Sequence, residues 1–136
     1  MTTAAFALQK AIHSTLVADA DVVARLGGAR VYDDVPRGAA LPYVTFGPTT
    51  KRDWSAGDDP GNEHIMTLHV WSNAAGRKET QEIIGAMRDA LHDQSLALAG
   101  YRLINLRHEF SDTRREPDGD GYRGIVRFRA VTEPLT

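Results

Sequence analysis

The sequence predicts an α+β fold: a mostly antiparallel β-sheet with two α-helices packed on one face and a long C-terminal β-hairpin. Three observations carry that expectation. The order helix, strands, helix, hairpin lacks the alternating βαβ units of a parallel fold. His64 to Trp71 alternates strictly, with Met66, Leu68 and Val70 on one side of a strand and Ile65, Thr67, His69 and Trp71 on the other. From Tyr101 onward, two strand-like runs flank the turn formers Glu116-Pro117-Asp118-Gly119-Asp120-Gly121. At 136 residues the chain is sized for one hydrophobic core, so residues 1–136 read as a single domain.

The first helix follows from Ala5, Leu8, Ile12 and Leu16 at three- and four-residue spacing, with Thr2 or Thr3 as N-cap, and runs to about Ala18. Asp19 or Asp21 caps a short further turn through Val22, Val23 and Leu26, which Gly27-Gly28 stops. Arg30-Val31-Tyr32 reads as a short strand, and Asp33 to Gly38 as a turn region. Tyr43 to Phe46, entered through Pro42, is a strand by its β-branched and aromatic content. Pro48 cannot donate to a ladder, so this strand either ends there or lies on an edge while Thr49 to Trp54 continue outward. Ser55 to Asn62 has almost nothing to bury and is the clearest exposed loop.

Both faces of His64 to Trp71 are partly apolar, which predicts a central strand covered by helices on one side and by something else, such as a neighbouring subunit, on the other. After a turn at Ser72 to Gly76, Ile83, Met87, Ala90 and Leu91 form the stripe of the second helix, ending near Asp93. The terminal hairpin runs from Tyr101 to about Arg115 and from Tyr122 to about Thr132. Simple alternation puts Ile104, Leu106 and Phe110 with Val126, Phe128 and Ala130, and leaves Arg107 and Glu109 across from Arg127 and Arg129 on the outside.

Composition narrows the function classes. With 42% hydrophobic and 25% charged residues, global disorder is excluded. The absence of cysteine removes disulfides, thiolate nucleophiles and Cys-based metal sites, and a reducing cytoplasm is the simplest setting. The N-terminal stretch lacks a basic n-region, so no signal peptide is expected, and no apolar run approaches the roughly 20 residues that span a bilayer. A net charge of -2 gives no global attraction to phosphate backbones.

No catalytic constellation is visible. His64 and His69 stand five residues apart on a strand, so their rings fall on opposite faces and cannot share an ion, and neither His13 nor His92 has a ligand-like spacing. Asp118-Gly119-Asp120-Gly121 faintly resembles a calcium loop, but Tyr122 and Arg129 stand where ligands are needed, and a glycine-rich hairpin turn is the better account. The adjacent acids Asp33-Asp34 and Asp58-Asp59 read as solvated loop residues. No nucleophile elbow or phosphate-cradling glycine loop is present. The expectation is therefore no catalytic residue, no metal, no cofactor and no enzymatic activity. Seven arginines, Arg102, Arg107, Arg114, Arg115, Arg123, Arg127 and Arg129, lie in the terminal hairpin against five acids. They suit a solvated face of cross-strand pairs, an arginine-rich subunit interface or a weak electrostatic lining toward nucleic acid.

Leu41-Pro42-Tyr43-Val44-Thr45-Phe46-Gly47, His64 to Ser72, Ala90-Leu91-His92, Gly100-Tyr101-Arg102-Leu103 and the closing run from Asp118 to Ala130, taken in series, resemble the tail-terminator (tail-completion) family of long-tailed bacteriophages, prophages and gene-transfer-agent-like particles. The resemblance implies a homo-oligomeric ring, usually of six subunits, on the head-proximal end of the tail tube, at the head–tail junction of a virion assembled in the bacterial cytoplasm. It also implies that the ring halts tube polymerisation and that its partners are the tail tube protein and a head-side connector or stopper. Double-stranded DNA would pass through the lumen without sequence specificity, and no membrane is involved. The competing expectation is a soluble binding or regulatory module that docks a small protein partner on its sheet.

A ring needs a heterologous interface whose rotation closes. The candidate interface residues are Ile65, Thr67, His69, Trp71, Arg107, Glu109, Arg127 and Arg129. Candidate partner- or DNA-facing loop residues are Lys51, Arg52, Asp53, Trp54, Asp58, Asp59, Arg114 and Arg115.

Overall fold

Helix α1 spans Ala4–Ala18, and Thr3 caps it by accepting a hydrogen bond from the Phe6 N–H at 3.2 Å. Leu8, Ile12 and Leu16, one turn apart, are fully buried. Asp19 ends α1 in an extended conformation and at once caps a second helix, α2 (Ala20–Leu26), its Oδ1 accepting from the Val22 N–H at 3.0 Å. Gly27 closes α2 in the left-handed region, at φ 81. These features belong to a computed structural model that describes residues 2–117, 119 and 121–135. Asp118 and Asp120, the carboxylates weighed as a calcium loop, lie outside the described residues, as do Met1 and Thr136.

The remaining elements are β1 (Val31–Tyr32), β2 (Tyr43–Asp53), β3 (Asn62–Ser72), α3 (Lys78–Leu91), β4 (Tyr101–Arg115) and β5 (Tyr122–Pro134). The strands form one sheet in the order β1-β2-β3-β5-β4. Two details of the expected fold class need correction. The described residues hold three helices, because the short capped turn expected through Val22, Val23 and Leu26 is a two-turn helix of its own, Ala20–Leu26. The sheet is mixed at one edge, where β1 runs parallel to β2 through Val31↔Val44 and Tyr32↔Thr45, while the other pairings are antiparallel. Pro48 does not end β2: the strand continues to Asp53 through a register shift between Phe46 and Thr49, which absorbs the residue that cannot donate.

The helices cover one face of the sheet. Val44, Met66, Leu68, Val70, Leu106, Val126, Phe128 and Ala130 form one core cluster with Leu8, Ile12, Leu16, Val22, Leu26, Ile83, Met87 and Leu91. Burying side chains of this size contributes about 1.5–3 kcal/mol each. Helix α3 approaches β5 closely because Gly124 has no side chain: a Cβ there would lie 2.8 Å from both Ile84 Cδ1 and Thr80 Cγ2. His64 shares this face, fully buried, with Nε2 at 2.9 Å from the Thr132 hydroxyl, and burial holds its imidazole below the ordinary value, favouring the neutral ring.

The terminal hairpin departs from simple alternation at two bulges in β4, between Leu103 and Asn105 and between His108 and Phe110. Each adds one residue that β5 does not match, so the side-chain phase flips. Leu106 and Phe128 stay in the core, but Ile104 is 49% exposed, and Phe110 pairs with Arg127 instead of joining the apolar row. The expected grouping of Ile104 and Phe110 with the core is thus overturned, and Phe110 takes the place opposite Arg127 that Glu109 was expected to hold.

Replacing Phe128 by alanine is expected to cost about 3–5 kcal/mol, since it empties a fully buried site, whereas Phe110→Ala should cost about 1 kcal/mol or less. Urea denaturation of the two purified variants checks the difference; equal losses would place Phe110 in the core after all.

Candidate subunit interface on the open sheet face

The strand alternation that buries one face under the helices sends Tyr43, Thr45, Ile65, Thr67, His69, Trp71, Arg123, Ile125, Arg127, Arg129 and Glu63 to the other. No described helix covers that face. Its side chains are nevertheless half-buried or buried, because they cover one another in two clusters.

The first cluster lies where β2 and β3 turn. Glu63, only 8% exposed, accepts from Arg129 Nε at 2.6 Å and pairs with Arg52 at 2.7 Å. Arg52 stands directly across the ladder from Glu63, and Arg129 pairs with Ile65, two residues along, so both cations reach it diagonally or straight on. The Trp54 ring lies beside the same two guanidinium groups, 5.3 Å from that of Arg52 and 5.1 Å from that of Arg129. These contacts fold Trp54 back on the sheet, although it is still 47% exposed. The Arg129 hydrogen bond, then the Arg52 charge, holds the Glu63 carboxyl below its ordinary value against the opposing effect of burial. The loop beyond is exposed but ordered: Trp54 N–H donates to Gly61 O at 2.9 Å, and Ala56 and Asp59 exchange two backbone bonds of 2.9 Å. Asp53 accepts from the Ser55 hydroxyl at 2.6 Å, which lowers its pKa.

The second cluster surrounds Trp71. Its Nε1–H donates to the Thr45 hydroxyl at 2.9 Å, the Arg123 guanidinium lies 5.3 Å from its ring, and the Tyr43 and His69 rings stand at 6.5 Å and 6.0 Å. His69 seats over Gly47, where a Cβ would fall 2.5 Å from its Nε2. Burial and the nearby Arg123 charge lower the His69 pKa.

Between the clusters lies Arg127, flanked by the buried Thr67 on β3 and by Phe110 on β4, with its guanidinium 5.1 Å from the Phe110 ring. Most sheet arginines have a carboxylate: Arg102 with Glu133 (3.2 Å), Arg107 with Asp93 (3.4 Å), Arg123 with Glu116 (3.2 Å) and Arg114 with Asp112. Among the described residues, Arg127 and Arg115 make no such pair.

The expected interface residues Ile65, Thr67, His69, Trp71, Arg127 and Arg129 thus share the open face, and Arg107 joins them opposite Arg129. Glu109 stands in the bulge, exposed and without a partner residue on β5. Of the expected loop residues, Arg52 and Trp54 are drawn into the Glu63 cluster. Lys51 and Asp53 lie on the exposed end of β2, Asp58 and Asp59 at the turn, and Arg114 and Arg115 at the hairpin end. Sequence reasoning missed Glu63 and Phe110. The pairing of Arg52 with Glu63 is visible once Ser55 to Gly61 is taken as a closed turn, but nothing local marks the bulge that rotates Phe110.

The outer edge of β4 is covered at its centre. Asp93 N–H donates to Leu106 O at 2.8 Å, and the His108 N–H donates to His92 Nδ1 at 3.0 Å. Beyond His108 no such bond to the edge is present among the described residues. Among the described residues no group of three or more His, Cys, Asp or Glu could hold a metal ion. This geometry offers adhesion: aromatic rings, guanidinium groups and free strand edge.

The family model for tail completion protein gp17 matches residues 10–133. Among solved structures, a chain from the virion of a native gene transfer agent particle superposes with a TM-score of 0.89 at 36% identity, over 98% of this chain and 99% of that one. The gp17 protein of bacteriophage SPP1 superposes with a TM-score of 0.61 over 93% of this chain and 89% of that one; at 21% identity that likeness concerns the fold. No curated protein matches.

Because the folded Glu63 binds its proton less readily than the unfolded one, the cluster's contribution to stability is present above the ordinary value of 4.5 and is lost as pH falls through the lowered value. Glu63→Gln should lower stability at pH 7 and flatten the loss of stability below pH 4.5. Denaturant titrations at a series of acid pH values check this; an unchanged acid slope would remove Glu63 from the account.

Proposed function

The chain belongs to the tail completion protein gp17 family, and from that premise we propose that it is the tail terminator of its particle. Its role is structural, in the tail of a bacteriophage or gene-transfer-agent virion. Copies of the chain close into a ring of six at the head-proximal end of the tail tube, stop tube polymerisation and present a surface to the head-side connector. DNA crosses the lumen without being read, and the chain has no enzymatic activity. The observation that carries this reading is the match along nearly the whole of both chains with a component of an assembled gene-transfer-agent virion.

The physical features of the sheet support assembly. An interface core is commonly rich in aromatic residues and arginine, and the open face holds both. β4 ends the sheet, and β2 carries β1 only along Val44 and Thr45, so each leaves backbone unpaired. Three antiparallel pairings separate β2 from β4, so the two edges run in opposite directions. A neighbour added in the same orientation therefore meets β4 with an antiparallel edge, the geometry of a heterologous contact that repeats until the rotation closes.

Deleting the gene from a producing strain is expected to give tails of uncontrolled length, or tails that fail to join heads, by negative-stain electron microscopy. Normal particles from the deletion strain would overturn the proposal.

A further inference from the structure

We propose that His92 is a proton-operated latch on the edge of β4: the uncharged ring holds the His108 backbone N–H, and protonation releases it and opens the centre of the edge. The latch belongs to the single chain and needs no neighbouring copy, so it goes beyond the ring proposed above.

The chain leaves α3 in a way that lays it against β4. His92 is extended, at φ -64 and ψ 124, and Asp93 then takes φ 57, in the left-handed region that aspartate tolerates better than most residues. This reversal brings two groups to the strand. Asp93 N–H donates to Leu106 O at 2.8 Å, and His92 Nδ1 accepts from His108 N–H at 3.0 Å. Leu106 and His108 are two residues apart with no bulge between them, the spacing at which a strand turns backbone groups to the same edge. The turn therefore occupies, with one donor and one acceptor, what the edge would offer to a further strand. The donor is backbone and does not titrate. The acceptor is an imidazole nitrogen, and it does.

An imidazole accepts through Nδ1 only while that nitrogen carries no proton, so the neutral ring of His92 bears its hydrogen on Nε2. Nε2 stands 3.3 Å from Asp93 Oδ2, a carboxylate that suits this tautomer. A second proton enters only at Nδ1, where N–H would then face N–H and the bond to His108 is lost. The charges around the ring are of both signs. The Asp93 carboxylate is shared with Arg107, whose Nε lies 3.4 Å from Oδ1. Arg88, one turn back on α3, accepts the His92 N–H on its carbonyl oxygen at 2.8 Å, and its guanidinium lies 3.7 Å from Asp89. On β4, burial and then the charges of Arg88 and His92 lower the His108 pKa, and Glu109 is exposed in the bulge. Arg129 of β5, opposite Arg107, is held by Glu63. The His92 side chain is 29% exposed, so a proton reaches it from solvent without opening the core.

NMR of the isotopically labelled full chain between about pH 8 and pH 5 reads both the imidazole tautomer and the amide exchange. At the upper end His92 is expected as the Nε2–H tautomer, with a protected His108 amide. As the His92 ring titrates, that amide should lose protection roughly tenfold or more, after correction for intrinsic exchange, while Val126 and Phe128 in the central ladder keep theirs. His92→Asn places a carbonyl oxygen near Nδ1 that gains no proton, and should keep His108 protected throughout; His92→Phe should leave it unprotected throughout. An Nδ1–H tautomer, a His108 amide indifferent to the titration, or a pH-dependent loss retained in His92→Asn would each overturn the latch. So would a loss shared with Val126 and Phe128, since the sheet as a whole would then be opening. Should His92→Phe fail to fold, the tautomer and the asparagine variant decide.

Discussion

The unbroken ladder between β3 and β5 is the constraint on which the rest of the molecule depends. From Asn62↔Thr132 to Ser72↔Tyr122 the two strands pair without a single shift in register. Every second residue of both strands must then face the helices, and Met66, Leu68, Val70, Val126, Phe128 and Ala130 do so. The complementary set is sent to the other face with equal strictness. Irregularity is confined to the flanking strands, with one shift in β2 and two in β4. The central pair supplies the rigid frame, and the bulges at its sides decide which side chains of the flanking strands reach the open face.

That division explains what the sequence made legible. His64 to Trp71 alternates without exception because β3 is a central strand paired with β5 in unbroken register, so its two faces can be read directly. β4 is an edge strand, free to bulge, and a bulge costs one unmatched residue without any compositional mark. Counting by twos from Leu106 therefore assigned Phe110 to the core, while the structure turns it outward under Arg127. The capped turn through Val22, Val23 and Leu26 and its stop at Gly27 were legible, but not that it stands as a helix of its own, since Asp19 ends one helix and caps the next and leaves no linker between them. The strand at Val31-Tyr32 was legible, but its parallel pairing was not, because its partner lies beyond a turn region that contains no helical pattern of its own. Of the open-face residues, those on the central strands were legible and Glu63 was not, since its importance comes from Arg52 and Arg129 converging on it from two other strands.

A sheet face without helices must remain compatible with water while keeping aromatic residues for a partner. This chain meets both demands by laying guanidinium groups across its rings: Arg52 and Arg129 beside Trp54, Arg123 over Trp71, Arg127 over Phe110. Arginine suits this because its planar, weakly hydrated head stacks on aromatics and still offers donors to carboxylates. Exposed ion pairs contribute about 0–1 kcal/mol each, so exchanging them for contacts with a neighbour costs little. Glu63 differs from the rest. Buried and accepting from two arginines, it resists exchange and fastens the β2–β3 turn to the sheet, so the face has a fixed end and more adaptable ground toward Arg127 and Phe110.

The strand edges complete the argument for directed assembly over indiscriminate aggregation. An exposed edge as long as β4 invites any extended chain to pair with it. Here His92 and Asp93, directly after α3, occupy the backbone groups of Leu106 and His108, so the centre of the edge is already taken. What remains open lies toward Arg115, beside Phe110 and Arg127. On the other side of the sheet, β1 covers β2 only along Val44 and Thr45 and leaves Phe46 onward free. Each edge is thus half closed, and the open halves differ in residues and in strand direction. Two copies cannot satisfy both by facing each other across a two-fold axis. A head-to-tail contact satisfies one edge of each copy and leaves the other for the next, which is the condition for a ring.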